Sequence, residues 1–168
     1  MQNQAQTLIK RSYFVLLASL LLVETASGQS SSIPTPRVAI SEHHGVFNEQ
    51  AVNYKALVKE YFFAPGNSQS PAVSLITTSY IKENSNASAD RPLVFVFNGG
   101  PGASSSPLHM NALGPWRIHQ DKDSAVLKEN PYSLLDLTDL VFMDPPGTGF
   151  TRVFDSAGAA LYWDVKGD

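Results

Sequence analysis

The sequence predicts an α/β fold in which antiparallel edge strands lead into a parallel central sheet. Three observations predict it. Two stretches rich in β-branched and aromatic residues flank a strong turn signal. Two short apolar runs without alternation lie roughly 40 residues apart, far enough for a crossover connection. Each of those runs opens directly into a glycine-rich turn. Composition agrees: 43% of the 168 residues are hydrophobic, 16% are charged, and the net charge is −3. Those values fit neither a disordered tail, a collagen-like repeat nor a basic nucleic-acid-binding domain. With no cysteine in the chain, disulfides, zinc–thiolate sites and thiol nucleophiles are excluded.

The first residues concern targeting. Lys10 and Arg11 precede the apolar run Tyr13–Val23, and the small residues Ala26, Ser27 and Gly28 follow. A basic start, a short apolar core and a small-residue exit describe a secretory signal peptide over residues 1–28. The run is too short for the ~20 residues that span a bilayer. A protein outside the cytoplasm, secreted or periplasmic, is therefore expected, with no stable membrane anchor after cleavage. Residues 29–44 begin Ser/Pro-rich and are expected to form a flexible leader, with the folded domain over 45–168. His43 and His44 are neighbours without further ligand spacing, which favours polar side chains turned to solvent over a metal site.

Val52–Phe63 and Ala72–Ile81 read as an antiparallel strand pair around Ala64-Pro65-Gly66-Asn67-Ser68. Lys55, Lys59 and Lys82 interleave with apolar positions, as on a half-exposed edge. A polar loop follows, in which Asn86-Ala87-Ser88 fits the glycosylation pattern. Leu93–Phe97 lacks alternation, so both of its faces are expected to be buried in a central strand, and Leu140–Met143 reads the same way. Leu108–Leu113 suits a short helical piece and Asn130-Pro131-Tyr132-Ser133 a turn.

The chemistry sits in the two turns, Asn98-Gly99-Gly100-Pro101-Gly102-Ala103-Ser104-Ser105-Ser106 and Asp144-Pro145-Pro146-Gly147-Thr148-Gly149-Phe150. Both leave the carboxyl ends of strands, where ligands bind in parallel α/β sheets. Neither carries the dinucleotide fingerprint or the phosphate-cradling Gly-Lys-Ser/Thr. A tight connection without a ligand and an oxyanion loop whose backbone N–H groups face inward both remain open on these residues.

Taken with Leu113-Gly114-Pro115 and the Asn130 turn, these blocks resemble the amino-terminal third of the serine carboxypeptidase family. The resemblance implies a partial α/β-hydrolase fold, truncated before the nucleophile elbow. It implies removal of C-terminal amino acids from peptides at a Ser-Asp-His triad through an acyl-enzyme. It further implies that Asn98 and the Gly99 N–H hold the substrate carboxylate, while the Gly100 N–H is one donor to the tetrahedral oxyanion. An amide side chain and backbone dipoles can bind a carboxylate without placing a cation beside the reacting carbonyl. Two positions depart from the family: Ala103 stands where a cysteine is frequent, and Ala112 where many members carry a glutamate. The carboxyl pair which that glutamate would form, and its preference for acid, is not expected here.

Gly-x-Ser-x-Gly occurs nowhere in the chain. Ser104, Ser105 and Ser106 therefore read as loop or helix-start residues. His109 and His119 come too early in the chain for the triad base, and His109 reads as a loop residue rather than a cleft residue. Asp144 reads as a brace for its own turn. Trp116, Tyr132 and Phe150 suit either the core or the apolar walls of a cleft. The expectation is an amino-terminal part that is inactive alone, needs no cofactor or metal, and serves peptide or protein substrates with a free C-terminus, not nucleic acid. A related acyl-transferring or ester-hydrolysing enzyme and a non-catalytic binding relic are the alternatives. Asn98 discriminates, because only carboxylate recognition needs it.

Overall fold

The computed structural model describes residues 35–83, 90–99 and 102–162. The signal-peptide segment, the Asn86 motif and Gly100 lie outside the described residues.

Three long strands come first: β1 (Val38–Phe47), β2 (Gln50–Phe63) and β3 (Val73–Lys82). They pair antiparallel in sequence order, and the expected pair around the Pro65-Gly66 turn is β2–β3. β4 (Leu93–Val96) follows, and then a short helix α1 (Ser106–Leu108) that widens into a π-type turn over His109–Leu113. β5 (Trp116–Gln120) and β6 (Ala125–Glu129) form a separate hairpin. A 3-10 turn (Leu134–Asp136), β7 (Asp139–Met143), the two-residue β8 (Arg152–Val153), the helix α2 (Ser156–Ala159) and a last 3-10 turn (Ala160–Tyr162) follow. The main sheet runs β1-β2-β3-β7-β4, with β8 pairing to β3. Among the described residues only β4 and β7 are parallel in it, so the sheet is mixed, and the helices are few and short.

Two expectations are corrected. Residues 38–44, placed in the flexible leader, belong to β1 and pair residue by residue with β2. The cause is a two-residue hairpin at Asn48 and Glu49, both with positive φ (48° and 66°), the backbone of the turn whose twist matches a hairpin. Asn48 pins that turn through Nδ2 to Asp136 Oδ1 (2.9 Å) and its own N–H to the Pro131 carbonyl (2.9 Å). β2 is therefore an inner strand rather than an edge, and Lys55 lies between Glu42 and Glu83. The second correction concerns β4. Among the described residues it closes the sheet at one end and has one face covered: Val96 is buried, whereas Leu93, Phe95 and Phe97 are 51–61% exposed. Unbroken apolar character marks two apolar faces, but burying both requires a second packed layer. β7 has the inner place expected of it, with Leu140, Val141 and Phe142 buried.

The main core lies on one sheet face. Phe47, Val52 and Tyr54 meet Val96, Leu140 and Phe142 there, under Leu135, Leu108 and Leu113. Alternate residues of each strand point to the same face, which is why positions 52 and 54, or 140 and 142, work together. Tyr54 packs edge-on against both Phe47 and Tyr80, with ring centroids 5.9 and 6.0 Å away. A smaller cluster of Ala72, Val73 and Ala159 holds the far end, where the Asp155 side chain caps α2 by accepting from the Ala157 and Gly158 N–H groups.

Candidate functional site

The parallel register pairs Val96 with Phe142. Asn98 and Asp144 each lie two residues further on, so the two glycine-rich turns leave the sheet side by side. This is the carboxyl end of a parallel pair, as expected.

In the first turn Asn98 is half-buried and Gly99 exposed. The Asn98 amide works locally on both sides. Nδ2 donates to the Ser104 carbonyl (3.2 Å), and Oδ1 accepts from the Gly99 N–H (2.9 Å). The Gly99 donor assigned to a carboxylate is thus engaged by its own neighbour in this structure. Gly102 carries a φ of 96°, which a side chain would resist. Ser105 stands at the start of α1 without a side-chain cap bond, since its hydroxyl is committed elsewhere.

That commitment is to Asp144. Asp144 is 6% exposed, and its carboxylate gathers three donors. Oδ1 accepts from the Ser105 N–H and the Ser105 hydroxyl, both at 2.8 Å, and Oδ2 accepts from the Phe150 N–H at 3.2 Å. The Asp144 carbonyl accepts from Thr151 Oγ1 at 2.9 Å. A β-carbon at Gly149 (φ 52°) would overlap the carboxylate, so this glycine lets the turn close around it. Asp144 braces its own turn as the sequence indicates. Its hold on the other turn, across 39 positions, is the feature that sequence reasoning missed. The available signal was the parallel pairing itself, which sets the ends of both strands together.

The other two motif blocks meet below the first turn. Asn130 is fully buried, and its Nδ2 donates to the carbonyls of Ala112 and Gly114, each at 2.8 Å. Ser133 Oγ donates to the Leu113 carbonyl (3.0 Å). Gly114 is a glycine because a β-carbon would run into the His109 carbonyl.

His109 is packed rather than loop-like. Its ring stacks on Phe142 with centroids 4.4 Å apart, and Nε2 lies 2.7 Å from the Tyr80 hydroxyl. Burial pushes the His109 pKa down, partly offset by the charge of Asp144. Burial likewise pushes the Tyr80 phenol up to about 12. Trp116 takes the core alternative, its Nε1 donating to Tyr54 (3.1 Å). Tyr132 and Phe150 do not, being 75% and 69% exposed.

Residues 79–159 match the family described as serine carboxypeptidase, a stretch that spans all four motif blocks. The chain is 46% identical over 61 residues to serine carboxypeptidase-like 36 of Arabidopsis thaliana, covering 36% of this chain and 12% of that protein. It is 32% identical over 125 residues to the pheromone-processing carboxypeptidase KEX1 of Saccharomyces cerevisiae, covering 72% of this chain and 15% of the relative. The matched stretch, a little under half of the chain, is similar to the serine carboxypeptidase family. The resemblance read from the motif blocks is thereby borne out. Against the solved structure of the S. cerevisiae prohormone-processing carboxypeptidase, this chain gives a TM-score of 0.44 at 27% identity, over 70% of this chain and 22% of that one. The chain spans well under a fifth of the length of each of these two curated relatives.

Proposed function

We propose that this chain is the amino-terminal part of an exported serine carboxypeptidase with an α/β-hydrolase fold, releasing C-terminal amino acids from peptides. The nucleophile, acid and base of the acyl-enzyme chemistry lie outside these 168 residues, so the chain alone does not hydrolyse peptides. The observation that carries the reading is the pair of turns at the carboxyl ends of β4 and β7, inside the stretch that matches the family. Residues 1–28 direct export.

Asn98 and the Gly99 N–H hold the terminal carboxylate, and the Gly100 N–H donates to the oxyanion. The Gly99 N–H is paired with a neutral amide oxygen. A carboxylate is a charged acceptor and makes roughly twice as strong a bond, so it displaces that oxygen. The backbone donors then face charge that develops next to a bound anion without any lysine or arginine between them.

The test is kinetic. In the enzyme extended to the length of its relatives, Asn98→Ala lowers kcat/KM for a blocked peptide with a free C-terminus by about ten- to a hundredfold, the loss of one hydrogen bond to a charged group. The same substitution has a much smaller effect on an ester with a neutral leaving group. Equal loss on both substrates, or equal cleavage of free and amidated C-termini by the unmodified enzyme, refutes carboxylate recognition.

A further inference from the structure

One peptide group connects Asp144 to Asn98. The Ser104 carbonyl accepts from Asn98 Nδ2 (3.2 Å). The Ser105 N–H, on the other side of the same peptide bond, donates to Asp144 Oδ1 (2.8 Å). A peptide group is a rigid plane, so anchoring its N–H also aims its C=O. We infer that Asp144 is a positioning residue for carboxylate recognition: through the Ser104–Ser105 peptide it fixes the orientation of the Asn98 amide. The inference rests on the reading of Asn98 given above.

Several observations carry it beyond a local turn brace. Bracing the second turn requires only the Phe150 N–H and Thr151 bonds, yet Oδ1 takes both donors of Ser105. Two bonds to one residue fix direction as well as distance. At 6% exposure Asp144 has little water to fall back on, so the bonds to Ser105 and Phe150 stay made. Its negative charge also polarises the Ser104–Ser105 peptide and makes the Ser104 oxygen a better acceptor for Asn98. Glycine at 149 keeps the carboxylate in place, because a β-carbon there would occupy its space.

Asp144→Asn leaves the volume unchanged but turns a donor toward one of three donors. Ser105→Ala removes only the hydroxyl and keeps the charge and the Ser105 N–H. Both are measured in the full-length enzyme, beside Asn98→Ala, on a blocked peptide with a free carboxylate and on an ester sharing its acyl group. Asp144→Asn is expected to raise KM for the peptide about tenfold, with kcat within about twofold and the ester KM little changed. Ser105→Ala shifts the peptide KM in the same direction by about threefold. If Asn98→Ala shows no loss specific to the carboxylate, the site reading fails and the inference falls with it. If Asn98→Ala is selective but the other two weaken both substrates alike, or neither, the positioning role alone is overturned. Should Asp144→Asn fail to fold, Ser105→Ala decides: a selective rise in KM supports the inference, and a uniform or absent effect refutes it.

Discussion

Acid should loosen the β1–β2 end of the sheet through a single carboxylate. Glu60 is 4% exposed. It accepts from Arg37 Nε (2.9 Å), Arg37 Nη2 (3.3 Å), the Arg37 N–H (3.2 Å) and the Ser74 hydroxyl. These partners, the Arg37 side chain first and Ser74 next, pull its pKa from 4.5 to about 2. The folded state thus binds the proton less readily than the unfolded chain. Its stabilisation is complete above pH 4.5 and is lost as pH falls from there toward 2. At ~1.4 kcal/mol per pH unit the depression sets a ceiling of roughly 3 kcal/mol. The Arg37 side chain is 80% exposed, and water screening on that side reduces the figure to about 1 kcal/mol. Urea unfolding of the protein and of Glu60→Gln, followed by tryptophan fluorescence at a series of pH values, measures it. The expected result is a stability gap of about 1 kcal/mol at neutral pH that closes at the acid end. A gap that stays constant across the range, or a glutamine variant as stable as the parent at neutral pH, refutes the reasoning.

Two further outcomes follow from the buried groups beside the site. The His109 pKa is pushed below 6.5 by burial, so its contribution is full above that value and declines as pH falls through it. His109→Phe, which can still stack on Phe142 but cannot take a proton, should flatten the slope of stability between about pH 7 and 5; an unchanged slope would show that His109 does not set it. Asn130→Ala orphans the carbonyls of Ala112 and Gly114 and should cost about 2–4 kcal/mol in denaturant unfolding. A loss under about 0.5 kcal/mol would mean that these carbonyls find water instead.

What could be read from the sequence follows the range of the forces involved. β2 and β3 show because β-branched and aromatic side chains flank a Pro-Gly-Asn turn, all within one short stretch. β7 shows because its apolar run matches a strand that the fold does bury. β1 stayed hidden because its turn depends on Asn48 docking against Asp136, a contact 88 positions away. The β5–β6 hairpin went unread because nine of its ten residues are exposed, which leaves little apolar pattern to detect. β4 was misplaced for the opposite reason: its sequence advertises two apolar faces, but the described residues cover only one of them.

The site divides along the same line. Each glycine-rich turn is a local object, so its residues and its place after a strand could be read directly. What the turns do together cannot, because a carboxylate on one strand end reaches a serine on the next only once the two strands are parallel neighbours. Pairing β4 with β7 in register brings Asn98 and Asp144 to the same level, and Ser105 then falls within reach of the carboxylate. Under the proposed role of Asn98 in carboxylate binding, its amide needs a fixed aim, and a glycine-rich loop supplies none of its own. Rigidity is imported instead from Asp144, buried just past the end of β7. On that proposal the first turn can keep its glycines for close approach to a ligand while Asp144, through Ser105, holds its direction.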